Sequence, residues 1–485
     1  MAALHGVRLE ANEAAEIVRY LANEQGLAPE ELRPGRFEVE RRMIDYDYAG
    51  DSGVEFSCIQ CHSMGRVITQ RRTEEEWGLL LATHRALYPL VDNQAFLAGD
   101  PGEEQPMDVA VDHLSEEFPL ETPDWSAWAA TKRSPPLAGT WTLSGYEPGR
   151  GAIYGTVRIQ TDPRSPDDFT TTTSYTYAET GEHVTHTGAA IVYTGYQWRG
   201  RSGPGTDTEL REVMIVERDL RTMSGRWFRG AYDEIGPDVT LTRVGAEPVL
   251  AGMHPRALVR GATTDVTLYG ASLAGVGSGT LDLGEGVAVE RVGTAGSESV
   301  TLRVSVAEDA AIGPRDLLAS GAMQTVLQDA VIVHDGVDRI VVTPSTGMAR
   351  VGGGNFPKGL QVFEAMGWDD GPDGEPETED DLALGRVDAT WRIEEYSATF
   401  GDDDAEFVGS MDADGVFTPA LDGPNPERRG NRNNVGDVWV VATHARAGDD
   451  ELSARAHLVV TVPLYMRWEP WRVTEEQLPT TGGDR

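Results

Sequence analysis

The two cysteines of this chain both fall in one motif, Cys58-Ile59-Gln60-Cys61-His62. A Cys-x-x-Cys-His segment is the signature of c-type haem attachment. Each thiol forms a thioether to a vinyl group, and the adjacent imidazole binds the iron. A chain that holds a macrocycle in this way must wrap it in apolar side chains, so the motif calls for a small helical domain around it. Cys-x-x-Cys also serves thiol redox chemistry or half of a zinc site. A zinc site needs two further ligands with no cysteine left to give. A thioredoxin-like motif sits in a βαβ pattern, whereas the flanks of Cys58 read as helical.

At 485 residues the chain exceeds one ordinary core and is expected to hold three or four domains. Abundant glycine (55) and proline (27) suit turn-rich β structure after a helical start. The formal charge is -38, and Lys132 and Lys358 are the only lysines. Such a surface repels nucleic acid and anionic membranes. It fits solubility in high salt, as in a halophilic protein, and attraction to a basic redox partner. No stretch reaches the ~20 apolar residues of a membrane span, and no N-terminal signal peptide is visible. Haem c attachment nevertheless implies a periplasmic or other extracytoplasmic location.

Residues 8–24 read as a helix, with Leu9, Ala14, Ile17, Val18 and Leu21 at helical spacing. A short charged segment follows over 28–39. Residues 73–88 form the next predicted helix, opened by a Thr73/Glu76 capping box, with Trp77, Leu80, Leu81, His84 and Leu87 along one side. The character changes near Pro135-Pro136. Strand patterns then recur at 140–143, 154–159, 172–177 and 239–241, at 265–270, 299–304 and 330–333, and at 388–400, 438–443 and 452–462. Gly313-Pro314-Arg315-Asp316 reads as a connecting turn and 368–381 as an exposed acidic loop.

Three stretches carry a family likeness: Glu24 to Glu30 with Pro34-Gly35-Arg36-Phe37; Cys58 to Val67 with Arg72 to Trp77; and Gly415 to Pro419, Gly423 to Pro426 and Gly436 to Ala442. In these the chain resembles the alpha subunit of quinohaemoprotein amine dehydrogenase. The resemblance implies a multidomain fold, an alpha-helical cytochrome c-like domain followed by three antiparallel beta domains. The expected boundaries are 1–134 for the haem domain, 135–245 for a beta-barrel, 246–335 for an immunoglobulin-like beta-sandwich, and 336–485 for a C-terminal beta-sandwich with the acidic loop. It also implies a beta-propeller subunit and a small subunit bearing cysteine tryptophylquinone, which oxidises primary amines. Electrons then pass through haem to an external cytochrome c or copper protein. By this resemblance the present chain is expected to be the relay and scaffold, with no catalytic residue of its own. The family's alpha subunit holds two haems, and one motif stands here. The first haem segment is therefore expected upstream of Leu4-His5-Gly6-Val7, on another chain, or lost. The alternative class is a multidomain beta scaffold or surface-binding protein whose haem domain serves another dehydrogenase.

One covalent haem c is thus expected, on Cys58 and Cys61, with His62 on the iron. For the opposite axial position His84 leads, with Met107 as alternative, and Met43, His113 and Met64 are further candidates. Met64 stands close in sequence to the motif. Arg66 and Arg72 match the carboxylates of haem propionates, although salt bridges to nearby glutamates compete. Trp77 reads as core packing against the ring. The acidic runs Asp369-Asp370 and Asp402-Asp403-Asp404 lack the spacing of a calcium loop. Val351-Gly352-Gly353-Gly354-Asn355 lacks the lysine of a phosphate loop and reads as a turn.

Overall fold

The computed structural model describes residues 9–35, 48–59, 62–89, 91–92, 102–229, 235–320, 324–353, 357–397, 401–446 and 450–462. Cys61 and Met43 lie outside these residues. The chain divides into two compact units, one of residues up to 133 with 193–195, the other of residues 134–192 and 196–462.

The first unit is helical. Its helices are α1 Ala11–Glu24, α2 Pro29–Leu32, α3 Ser52–Cys58, α4 Gly65–Ile68, α5 Glu74–Leu87, α6 Pro106–Glu117 and α7 Pro123–Thr131. Helix α5 begins on the expected capping box: Glu76 N–H donates to Thr73 Oγ1 at 3.2 Å and Thr73 N–H to Glu76 Oε2 at 2.9 Å. Helices α6 and α7 fall where the hydrophobic periodicity suggests none. Each opens on proline at its first position, Pro106 and Pro123. Proline suits that position because the missing N–H has no intrahelical partner there. The core of this unit gathers Val54, Met64, Ile68, Trp77, Leu81 and Leu114. The apolar stripe of α1 packs less: Ile17, Val18 and Leu21 are 45–57% exposed.

Among the described residues the second unit is β apart from short helical turns. Its first part is a closed barrel of β1 Gly139–Glu147, β2 Gly151–Thr161, β3 Asp168–Tyr177, β4 His183–Tyr193, β5 Gln197–Ser202, β6 Leu210–Val216, β7 Thr222–Arg229 and β8 Asp238–Arg243. Period-2 burial drives it: along β3 the odd-numbered residues from Phe169 to Tyr177 are buried and their neighbours more exposed. Strand β1 pairs with β2 (Trp141↔Val157) and with β8 (Trp141↔Arg243), and Val244 N–H donates to Thr140 O at 2.9 Å. Closure leaves the barrel without a sheet edge.

Residues 249–334 form two four-stranded sheets that share one core, with Leu268, Val300, Leu302, Leu317 and Val333 fully buried. Here the expected turn at 313–316 is overturned, because Gly313–Ser320 is a strand. Its partner on one side, Gln324–His334, pairs with it from Gly313 onward, while Leu281–Asp282 on the other side reaches only Leu318 and Ala319. Pro314 therefore sits where no ladder bond is asked of the open side, the place a strand tolerates proline. Residues 339–461 make sheets of three, four and three strands around Val342, Phe363, Phe417, Val440 and Leu458. Trp368 and Asp369 close the strand Glu364–Asp369, so the acidic loop starts after them, and Asp369 is buried.

Candidate cofactor site

Local sequence sets the site's frame. Asp51 caps α3, accepting from Gly53 N–H and Val54 N–H at 2.9 Å each, and Cys58 ends that helix. His62 follows the turn, and Met64 leads into α4. Helix α5 turns Trp77, Leu80, Leu81 and His84 to one side at i, i+3, i+4 and i+7, and α6 turns Met107, Ala110 and Leu114 likewise. Arg85 pins α5 by bonding Asp92 at 2.8 Å and Asp108, on α6, at 2.9 Å.

These side chains line one cleft of about 280 Å³, open to one side. Its walls are apolar: Val67, Trp77, Leu81, Met107, Ala110 and Leu114 are each at most 7% exposed. Cys58, His62 and His84 bring the metal- and thioether-forming groups, and Arg66, Gln70 and Arg72 bring polar ones. That volume stands at the lower end of ligand and cofactor pockets, with one side left open.

Both imidazoles are oriented from behind. His62 Nδ1 lies 3.0 Å from Ser63 O, and His84 Nδ1 lies 2.9 Å from Leu80 O. A carbonyl only accepts, so each Nδ1 carries the hydrogen, and in a neutral ring Nε2 is then the lone-pair nitrogen. Burial lowers the His62 pKa to about 4; Ser63 O opposes this, and the nearby charges of Arg66 and His84 add to it. His62 is therefore neutral at physiological pH, the form in which imidazole binds a metal.

Seven of the residues singled out from the sequence meet here: Cys58, His62, Arg66, Arg72, Trp77, His84 and Met107. Arg72 bonds Gln70 Oε1 through Nε (3.2 Å) and Nη2 (2.8 Å), and its guanidinium stands 5.6 Å from the Trp77 ring centre. Trp77 is core, 1% exposed, with Nε1 donating to Phe118 O at 3.3 Å. The other distal candidates are placed differently. His113 Nε2 bonds the Tyr48 hydroxyl at 2.9 Å, and Met64 is fully buried in the helical core; neither lines the cleft. For His62 a backbone carbonyl partner to the second ring nitrogen is expected, and Ser63 O fills that place. Sequence reasoning missed Gln70 and the carbonyl of Leu80. Only the last had a signal, the i−4 position on a helix.

The donor set and the lining fit a haem. An apolar slot accepts a flat macrocycle, two nitrogen donors suit iron, and arginines suit its carboxylates.

Elsewhere, Asp402, Asp403 and Asp404 are grouped closely enough to hold a cation. Arg428 bonds Asp403 and Asp404, and Arg432 bonds Asp403, so two arginines already offset most of the charge of this cluster.

Four family models match the chain in series. They are quinohemoprotein amine dehydrogenase A, alpha subunit, haem binding, over residues 1–125; and the quinohemoprotein amine dehydrogenase alpha subunit domains II over 134–244, III over 247–334 and IV over 340–472. No curated protein matches. Among solved structures, a de novo designed fluorescence-activating beta barrel is similar at 19% identity, over 24% of this chain and 99% of its own, with TM-score 0.19. The Bacteroides ovatus glucan-utilisation protein SGBP-B, solved with a mixed-linkage heptasaccharide, matches at 12% over 43% of this chain and 46% of its own, TM-score 0.19. Mouse clustered protocadherin PcdhgC3 EC1-3 matches at 12% over 63% and 88%, TM-score 0.18. Scores of this size carry no inference about ligand or partner.

Proposed function

Because the chain belongs to the quinohemoprotein amine dehydrogenase alpha-subunit family, we propose that it is the haem c electron-transfer subunit of such a complex. It relays electrons from a tryptophylquinone-bearing small subunit to an external cytochrome c or copper protein. The observation that carries this reading is the convergence of Cys58, His62 and His84 on one apolar cleft.

A haem held there supplies one-electron redox chemistry at its iron. The chain's own residues do the rest. Cys58 and Cys61 would hold it through thioethers. His62, fixed by its Nδ1–H bond to Ser63 O, would offer Nε2 to the iron. His84, fixed by Leu80 O, would offer a second nitrogen, with Met107 on α6 as the alternative. Arg66 and Arg72 would pair with its carboxylates, and Trp77 would pack against it. The apolar walls exclude water, which keeps the local dielectric low and the charge change at the metal sensitive to the ligands. The helical unit is on this reading a cytochrome c-like domain, and the amine is oxidised on a partner. A beta-propeller subunit completes the assembly, which works outside the cytoplasm; among the described residues no helix is long and apolar enough to cross a membrane.

The test is intact mass and the dithionite-reduced spectrum of the chain exported with haem-attachment machinery. One haem per chain is expected, lost as a covalent adduct when both cysteines are changed to alanine. An unmodified mass with no haem α-band sinks the proposal.

A further inference from the structure

The barrel turns a line of polar groups inward. Thr171 and Thr173 share the buried face of β3 with Phe169, Tyr175 and Tyr177. Thr173 lies directly across from His186 on β4, and Thr171 across from Gly188. Residues paired in this way point to the same side of a sheet. Thr171, Thr173 and His186 are 5%, 1% and 7% exposed. Yet among the described residues Thr171 Oγ1, Thr173 Oγ1 and His186 Nε2 meet no hydrogen-bond partner.

The seam continues past Gly188. A methyl group there comes within 2.6 Å of Thr171 Oγ1 and 3.1 Å of Ser202 Oγ, so glycine keeps this stretch of wall clear. Ser202 Oγ donates to one carboxylate oxygen of the buried Glu212, and Trp198 Nε1 donates to the other at 2.7 Å. Trp198 stacks on Phe169 at 5.7 Å, and Trp227 lies 6.3 Å from Tyr175. Large rings thus stand beside the polar seam on the same inner face.

A buried polar atom without a partner costs more than a hydrogen bond returns, and native proteins meet such atoms with ordered water. Three of them on one patch of wall make a cluster of suitable valence, because two hydroxyls and one imidazole nitrogen can each donate or accept. We infer that the barrel interior is a binding site for ordered water, held between Thr171, Thr173 and His186 beside the Ser202–Glu212 pair. The seam is thereby hydrated inside a closed barrel, and the buried carboxyl of Glu212 has a polar neighbourhood beyond its two donors.

The exchange of threonine for valine keeps shape and removes the hydroxyl, and it separates the two cases by sign. If water bonds these hydroxyls, Thr173→Val and Thr171→Val in the full chain each strip a partner from it, and the unfolding temperature falls. If the hydroxyls stand alone, their removal relieves them, and the temperature holds or rises. A crystal structure of the unsubstituted chain gives the second readout, with water density within hydrogen-bond distance of Thr173 Oγ1 and His186 Nε2 as the expected result. An unchanged or raised unfolding temperature in both variants overturns the inference, and so does an interior free of density at those two atoms.

Discussion

Tyr146 and Glu364 stand 218 residues apart in sequence and are joined by a 2.8 Å hydrogen bond from the phenol to the carboxylate. Gly149 N–H donates to the same oxygen at 2.9 Å, and Glu364 is 7% exposed. Burial raises the Glu364 pKa, and these two bonds only partly offset it. The barrel and the C-terminal sheets thus share a buried acid. Tyr146→Phe is expected to cost about 1–3 kcal/mol, the desolvation penalty of a buried acceptor that has lost a donor. Urea unfolding of the full chain reads it. A double cycle with Glu364→Gln should show non-additivity; strict additivity means the pair is not coupled.

Arg428 is a buried polar hub within the C-terminal sheets. It is 2% exposed and bonds Asp403, Asp404 and the carbonyls of Asn433 (2.6 Å) and Val435 (3.0 Å). Removing one side of a buried ion pair leaves the other uncompensated, at about 3–5 kcal/mol. Arg428→Ala should lower the denaturation midpoint accordingly. Arg428→Lys should rescue little of it, because an ammonium cannot span two carboxylates and two carbonyls in one plane. Full rescue by lysine would show that charge alone matters here.

Glu212 predicts a pH dependence. Burial raises its pKa, against the lowering by its bonds from Ser202 and Trp198. The folded state then keeps a proton that the unfolded chain releases, so this group's contribution is full below the ordinary carboxylate range. It is lost as pH rises through the raised value. Glu212→Gln cannot ionise. The stability of the variant relative to the parent should therefore climb as pH rises from the ordinary carboxylate range, about pH 4, toward neutrality. A difference that is flat across that interval contradicts the shift.

At the cofactor cleft, the two distal candidates separate by spectroscopy. With haem attached, His84→Ala should turn the ferric spectrum from low to high spin, and Met107→Leu should leave it low spin. The reverse pattern assigns the ligand to Met107. An unchanged spectrum in both variants excludes both.

Much of this architecture was legible from residue patterns. The capping box at Thr73 and Glu76 marked the start of α5 to the residue, and the helical spacing of Trp77, Leu80, Leu81 and His84 placed one wall of the cleft. Alternation located the cores of β1, β2, β3 and β8. Closure of β1 onto β8 was not legible, because register between strands a hundred residues apart leaves no local trace. Helix α6 was missed for want of a long period, although Pro106 signalled its start. The seam of Thr171, Thr173 and His186 was equally hidden, since threonine in a strand suits either face until the neighbours are known. Gly313-Pro314 misled because turn chemistry and an open strand flank accept the same residues.

The pairing of β1 with β8 has a topological corollary. The polypeptide enters the barrel beside the point where it leaves, within one hydrogen bond between Thr140 and Val244. Adjacent ends make a segment portable. The eight strands can be lengthened at their hairpins, traded for another cylinder, or excised and bridged by a few residues, and the cut ends they leave behind are already neighbours.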